Sequence, residues 1–270
     1  MTLPVSPADL PVDDARRLVA DERAHIDEKL TAFDRFAGGV RRLSTDSPSP
    51  SVRSTAAGTT PPGSISVAGG RTSGDDTTRR VRSLFAETVR PYSIEDVDEP
   101  EPLLVTIREE LSPEIALAVA PSTTRAFTPE LQAAICSAVD QSQAELRAMR
   151  QGLDTEADSL RAADELRTEL ADWLDARPSC SDQGFEALSR RHERLDGFRQ
   201  QCDALAADRQ STLRGTTNYT ASASLSQQPL VEYLYQPLAV DYPVLSVIAF
   251  LTDCCKTRQR TVRDHLTRRV

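Results

Sequence analysis

Val139, Leu146, Leu153, Leu160 and Leu174 stand at multiples of seven through a stretch, Glu130 to Arg177, that contains no proline. A seven-residue repeat keeps one narrow apolar edge in line along a helix, and other helices must cover that edge. The spacing therefore predicts a long helix in a coiled-coil assembly. Thr128 is placed to cap it, and Pro129 falls at the first helical position, where its missing amide costs nothing. A helix of that length measures roughly 70 Å. Gly152 inside it costs about 1 kcal/mol against alanine and marks a bend or a close helix contact.

Pro178, Ser181, Asp182 and Gly184 interrupt the pattern, and Phe185, Leu188, Leu195, Phe198, Cys202 and Leu205 then carry a second amphipathic helix as far as Leu213. The short connection makes residues 128–213 an antiparallel hairpin. Its return arm is the shorter one, so Leu131, Ile135, Ala138 and Val139 overhang and need a cover: the first helix, the last helix or a second chain. The first helix begins after Pro11, with Asp13 and Asp14 favoured at its positive end. Val12, Val19, Ile26 and Phe33 recur at sevens, Leu30 and Phe36 widen the stripe, and Gly38 and Gly39 weaken its end.

Of the 35 residues from 44 to 78, 24 are Ser, Thr, Pro or Gly. Such a segment buries too little surface to offset its ordering entropy, and a disordered linker is expected between an N-terminal helix in 1–43 and the rest. In 79–127, Pro91, Pro100, Pro102, Pro113 and Pro121 separate short amphipathic pieces, Arg79 to Arg90, Leu103 to Leu111 and Pro113 to Ala120, which form a helical elbow. Residues 214–270 hold a polar loop from Arg214 to Gln228, an apolar cluster from Leu230 to Leu238, and a final helix through Leu245, Ile248, Leu251, Cys255, Val262 and Leu266. The expected fold is all-α: a long antiparallel hairpin within a three- to four-helix bundle.

Composition adjusts this picture. Aromatic residues make up only 5% of the 270, which favours elongated helices over a thick core. The cations are 30 Arg with two Lys, Lys29 and Lys256, against 24 Asp and 17 Glu, for a net charge of −9. An Arg-for-Lys, Asp-rich surface suits a protein living in strong salt, where screening reaches about 3 Å at 1 M; an Arg-favouring genome explains the same bias, and the two are compatible. Cys136, Cys180, Cys202, Cys254 and Cys255 form no CxxC pair, and no export signal opens the chain, so free thiols in a reducing cytoplasm are expected. Cys254 and Cys255 serve as small apolar filler or as a vicinal disulfide. The longest apolar run, Pro243 to Leu251, is about half of what a bilayer crossing requires.

Catalytic candidates are few. His25, His192 and His265 stand in charged helical surroundings, with no metal-ligand spacing among them or the cysteines. Glu109-Glu110, Asp154 with Asp158, and Glu165 with Glu169 recur at helical intervals expected of solvated faces. No Gly-rich phosphate loop follows a strand, and no nucleophile elbow is present. No catalytic residue, cofactor, metal or small-molecule substrate is inferred. The feature that departs from this pattern is the tail, where Lys256, Arg258, Arg260, Arg263, Arg268 and Arg269 face only Asp264 in charge. Such a helix binds nucleic-acid phosphates or an anionic membrane surface, or its cations serve the helix dipole and neighbouring acidic faces.

Val89-Arg90-Pro91-Tyr92, Glu110-Leu111-Ser112-Pro113-Glu114-Ile115-Ala116, Phe127-Thr128-Pro129-Glu130-Leu131, Val231-Glu232-Tyr233-Leu234-Tyr235 and Tyr242-Pro243-Val244-Leu245, with the arginine bias, resemble an uncharacterised family of helical coiled-coil proteins from halophilic archaea. The resemblance covers most of the chain outside 44–78 and implies a fold and a habitat, with no activity. The function expected is that of a non-enzymatic cytoplasmic interaction or scaffold protein. It would bind a protein partner or itself through a seam of Leu131, Ile135, Val139, Leu146, Leu153 and Leu160. The alternative is a nucleic-acid-associated or peripheral membrane protein acting through the basic tail.

Overall fold

The computed structural model describes residues 12–45, 73–93, 102–123, 126–220 and 223–268; the linker expected at 44–78 lies mostly outside them, as does Arg269. The described chain is all-α: α1 (Val12–Arg41), α2 (Ser73–Thr88), α3 (Leu103–Glu110), α4 (Pro113–Ala118), α5 (Pro129–Asp175), α6 (Phe185–Arg214), α7 (Gln227–Leu234) and α8 (Pro243–Thr267). Two expectations change. Helix α2 starts at Ser73, inside the segment assigned to the linker, and Asp76 pairs with Arg79 and Arg80 one turn on, a local support for helix that composition alone hides. The polar loop after α6 contains a hairpin, β1 (Thr216–Thr220) against β2 (Ala223–Ser226), with Thr216 opposite Ser226 and Thr217 opposite Leu225. Threonine's β-branch favours the extended backbone there.

The chain forms two compact units, one from residues up to Ala24 and from Arg147 onward, the other His25–Leu146. In the His25–Leu146 unit, Phe33, Phe36 and Val40 of α1 meet Phe85 of α2, Ile107 of α3, Ile115 of α4, and Ile135 and Val139 of α5 in one buried cluster. Phe36 and Phe85 meet edge to face at 5.5 Å. A Cβ on Gly39 would sit 3.0 Å from Leu84, so the glycine lets α2 approach α1 closely, and α1 runs through both glycines to Arg41. Gln132 donates to the carbonyls of Val40 and Leu43 at 2.8 and 3.2 Å, satisfying orphan groups where α1 ends. Lys29 bonds Glu110 at 2.7 Å, and Gln143 bonds Asp34 at 2.7 Å.

In the other unit, α5 and α6 run antiparallel. Arg194 pairs with Glu169 at 2.6 Å, Trp173 lies 5.5 Å from Phe198, and Arg209 reaches back to Glu156. Arg16 to Asp164 and Arg23 to Asp154 lay α1 along α5 in the opposite direction. Helix α8 packs on α6, where Arg199 donates to Gln259 at 3.2 Å. Leu153, Leu160, Leu188, Leu195, Phe198, Val247 and Leu251 are buried in this unit. Phe185, expected in the apolar line of α6, is 57% exposed; the buried line starts at Leu188, one turn further in.

Gly152 makes a close helix contact. A Cβ there would stand 2.7 Å from Leu230 of α7, so only glycine admits that side chain.

Candidate functional site

The seam proposed from sequence for a partner is used inside the fold. Ile135 and Val139 are fully buried by α1 and the short helices, and Leu153 and Leu160 are fully buried in the other unit. This corrects the expectation that they form an interaction surface: the residues read as a connecting elbow fold over the overhang and cover it. Leu131 and Leu146 remain half-buried.

Leu131 lines a groove of about 470 Å³ between α4 and the start of α5, together with Glu114, Ile115, Ala118, Ala126, Thr128, Glu130 and Ala134. Two copies of one tetrapeptide pattern build it, Ser112-Pro113-Glu114-Ile115 and Thr128-Pro129-Glu130-Leu131. Each opens a helix in the same way. Ser112 accepts from the amide of Ile115 at 3.2 Å and Thr128 from that of Leu131 at 3.3 Å, with proline at the first helical position. Each motif thus delivers one carboxylate and one aliphatic side chain to the groove. Bonds from its own backbone amide and from the Thr128 hydroxyl hold the Glu130 carboxyl below its ordinary range, so it is an anion at neutral pH. Neither Glu114 nor Glu130 has a cationic partner among the described residues, and Leu117 of α4 is 69% exposed. The arrangement can hold an apolar side chain flanked by positive charge; a carboxyl held low is a poor proton donor.

A second polar constellation lies sealed in the other unit. Glu156 on α5 takes bonds from Arg209 on α6 at 2.6 and 2.8 Å and from the hydroxyl of Tyr235, just past α7, at 2.7 Å. Both members of the ion pair have side chains 0% exposed, out of reach of any substrate. Burial, then the charge of Glu156, pushes the Tyr235 hydroxyl far up, so it remains a donor. Gln227 donates to the carbonyl of Gly152 at 2.9 Å, tying α7 to α5 beside this cluster. Sequence reasoning missed the pair although the signal was present. Glu156 is three residues after Leu153 and four before Leu160, and Arg209 extends the line Leu188, Leu195, Cys202 by one more seven.

The remaining candidates are inert or solvated. Cys202, Cys254 and Cys255 are buried free thiols, and desolvation raises all three, Cys255 to about 12. Among the described residues no group of three or more His, Cys, Asp or Glu could hold a metal ion, and no helix is long and apolar enough to cross a membrane. Lys256, Arg258, Arg260, Arg263 and Arg268 are exposed along α8.

An all-helical protein with a sealed ionic centre and an acid-rimmed apolar groove is what these features define. The chain belongs to the family described as a domain of unknown function, DUF7260, which matches residues 10–259. Membership of an uncharacterised family agrees with the resemblance seen in the sequence. No curated protein and no solved structure matches the chain.

Proposed function

We propose that the protein is a non-enzymatic cytoplasmic interaction module whose α4–α5 groove receives a segment of another protein, an apolar side chain flanked by Arg or Lys. The carrying observation is the pair Glu114 and Glu130, two carboxylates without cationic partners among the described residues, at the rim of an apolar groove with Leu117 exposed on α4. Charge complementarity selects a cationic flank, and the aliphatic lining selects what lies between the charges.

A fluorescein-labelled amphipathic peptide with Leu and Arg at helical spacing tests this by anisotropy. Ala134→Trp, which fills the groove, is expected to weaken binding at least about tenfold, and Glu114→Gln with Glu130→Gln severalfold. Wild-type protein that ignores the peptide, or an Ala134→Trp variant that binds it undiminished, overturns the reading. A dimer seen by light scattering and lost in Leu117→Asp would make a second copy the occupant.

A further inference from the structure

We propose that the exposed edge of α8 binds the phosphate backbone of nucleic acid without reading its sequence. Lys256, Arg260 and Arg263 follow one another at intervals of four and three residues, so they share one stripe of the helix. Successive cations rise by roughly 6 and 4.5 Å along it, a spacing comparable to that of phosphates along a strand. All three are exposed, on the side away from the buried line Ile248, Leu251, Cys255 and Val262.

Several surface arginines elsewhere find carboxylates: Arg17 with Asp14, Arg161 with Asp158, Arg190 with Glu186 and Arg194 with Glu169. On α8, Lys256, Arg260 and Arg263 form no ion pair with a carboxylate among the described residues. Asp264 stands four residues from both Arg260 and Arg268 and pairs with neither, although that spacing favours a pair. In a chain of net charge −9, a run of cations without an ion pair among the described residues, with Asp253 and Asp264 near it on the helix, is complementary to an anionic partner. The acidic remainder does not veto binding, because screening confines each charge to about 8 Å at 0.15 M ionic strength. Among anionic partners a membrane fits less well. A helix lying on lipid inserts its apolar face, and that of α8 is committed to the core. Thr257 and Thr261, exposed beside the cations, add hydroxyls of the kind that contact phosphate oxygens.

The test is anisotropy of the full chain with a fluorescein-labelled duplex of about 20 base pairs across a KCl series. Three phosphate contacts give a slope of log K against log[KCl] of about −2.7, so affinity is expected to fall roughly 500-fold from 0.1 to 1 M. Lys256→Gln with Arg260→Gln and Arg263→Gln is expected to weaken binding at least about tenfold at low salt and to flatten the slope, with an unchanged circular dichroism spectrum. Arg161→Gln with Arg190→Gln, which removes cations already paired, should leave affinity within about twofold. Absence of wild-type binding in about 0.05 M KCl, an unchanged slope in the triple variant, or equal loss in the paired-arginine control overturns the proposal. So does retention on phosphatidylglycerol vesicles or polyglutamate without retention on DNA.

Discussion

The two units solve the problem of a helix seam in opposite ways. In the His25–Leu146 unit, rings and aliphatic chains converge, and the polar bonds, Lys29 to Glu110 and Gln143 to Asp34, lie at its part-buried margin. In the other, Glu156 and Arg209 stand on the inward lines of α5 and α6, where the spacing leads one to expect apolar side chains, and Tyr235, just past α7, bonds Glu156. An apolar core loses stability in proportion to what is removed from it. A buried ion pair has a different cost structure: removing one partner strands a charge, whereas replacing both by well-packed apolar groups is close to neutral. The first device supplies stability; the second accepts only one register of α5, α6 and α7.

The contrast is sharpest in a paired substitution. Arg209→Met alone is expected to cost about 3–5 kcal/mol, and Arg209→Met with Glu156→Leu and Tyr235→Phe to recover most of it. Trp173, packed on Phe198 in the same unit, reports the change by fluorescence in urea. A triple variant no better than the single one would mean that the pair itself holds the unit together. Phe36→Ala is expected to cost a similar 3–5 kcal/mol with no polar rescue available, read by far-ultraviolet circular dichroism because the only tryptophan lies outside that unit.

Smaller effects refine the picture. Gly152→Ala, forced against Leu230, should cost about 1–3 kcal/mol, and Leu230→Ala added to it should relieve part of that loss. Alkali should act on one unit more than the other. The Tyr235 hydroxyl and the thiols of Cys202, Cys254 and Cys255 all have folded values raised above their unfolded ones. Their contribution is therefore fully present below the unfolded values, near 9 for the thiols and 10 for the tyrosine, and is lost as pH climbs through and above these. Melting temperature should fall from pH 9 upward by Trp173 fluorescence, and Cys255→Val with Tyr235→Phe should flatten the fall. Lys29→Met, breaking a part-buried pair in the other unit, should cost about 1 kcal/mol or less.

Periodicity was enough for the long elements. Val12, Val19, Ile26 and Phe33 are buried, and α5 opens on the Thr128 cap and ends two residues short of Arg177. What escaped depended on pairing across the chain. The cover over Ile135 and Val139 comes from short helices whose proline breaks read as a connector, since their apolar faces are too brief to announce a core. The groove escaped for a related reason: its carboxylates sit in two helix-opening motifs that read as caps, and only folding places them beside one another. Glu156 and Arg209 were legible as inward positions, but a charge there reads as a fault in the repeat until its partner is known.

The scarcity of lysine governs how this protein can be handled and marked. Lys29 is held by Glu110, with 16% of its side chain exposed, while Lys256 stands open on α8. Any reagent or enzyme that seeks a side-chain amine, from an ester crosslinker to an acetyltransferase or a conjugating ligase, therefore meets one accessible ε-amine in the described chain. An acyl group placed there would report the occupancy of α8 and leave the rest of the surface unmarked.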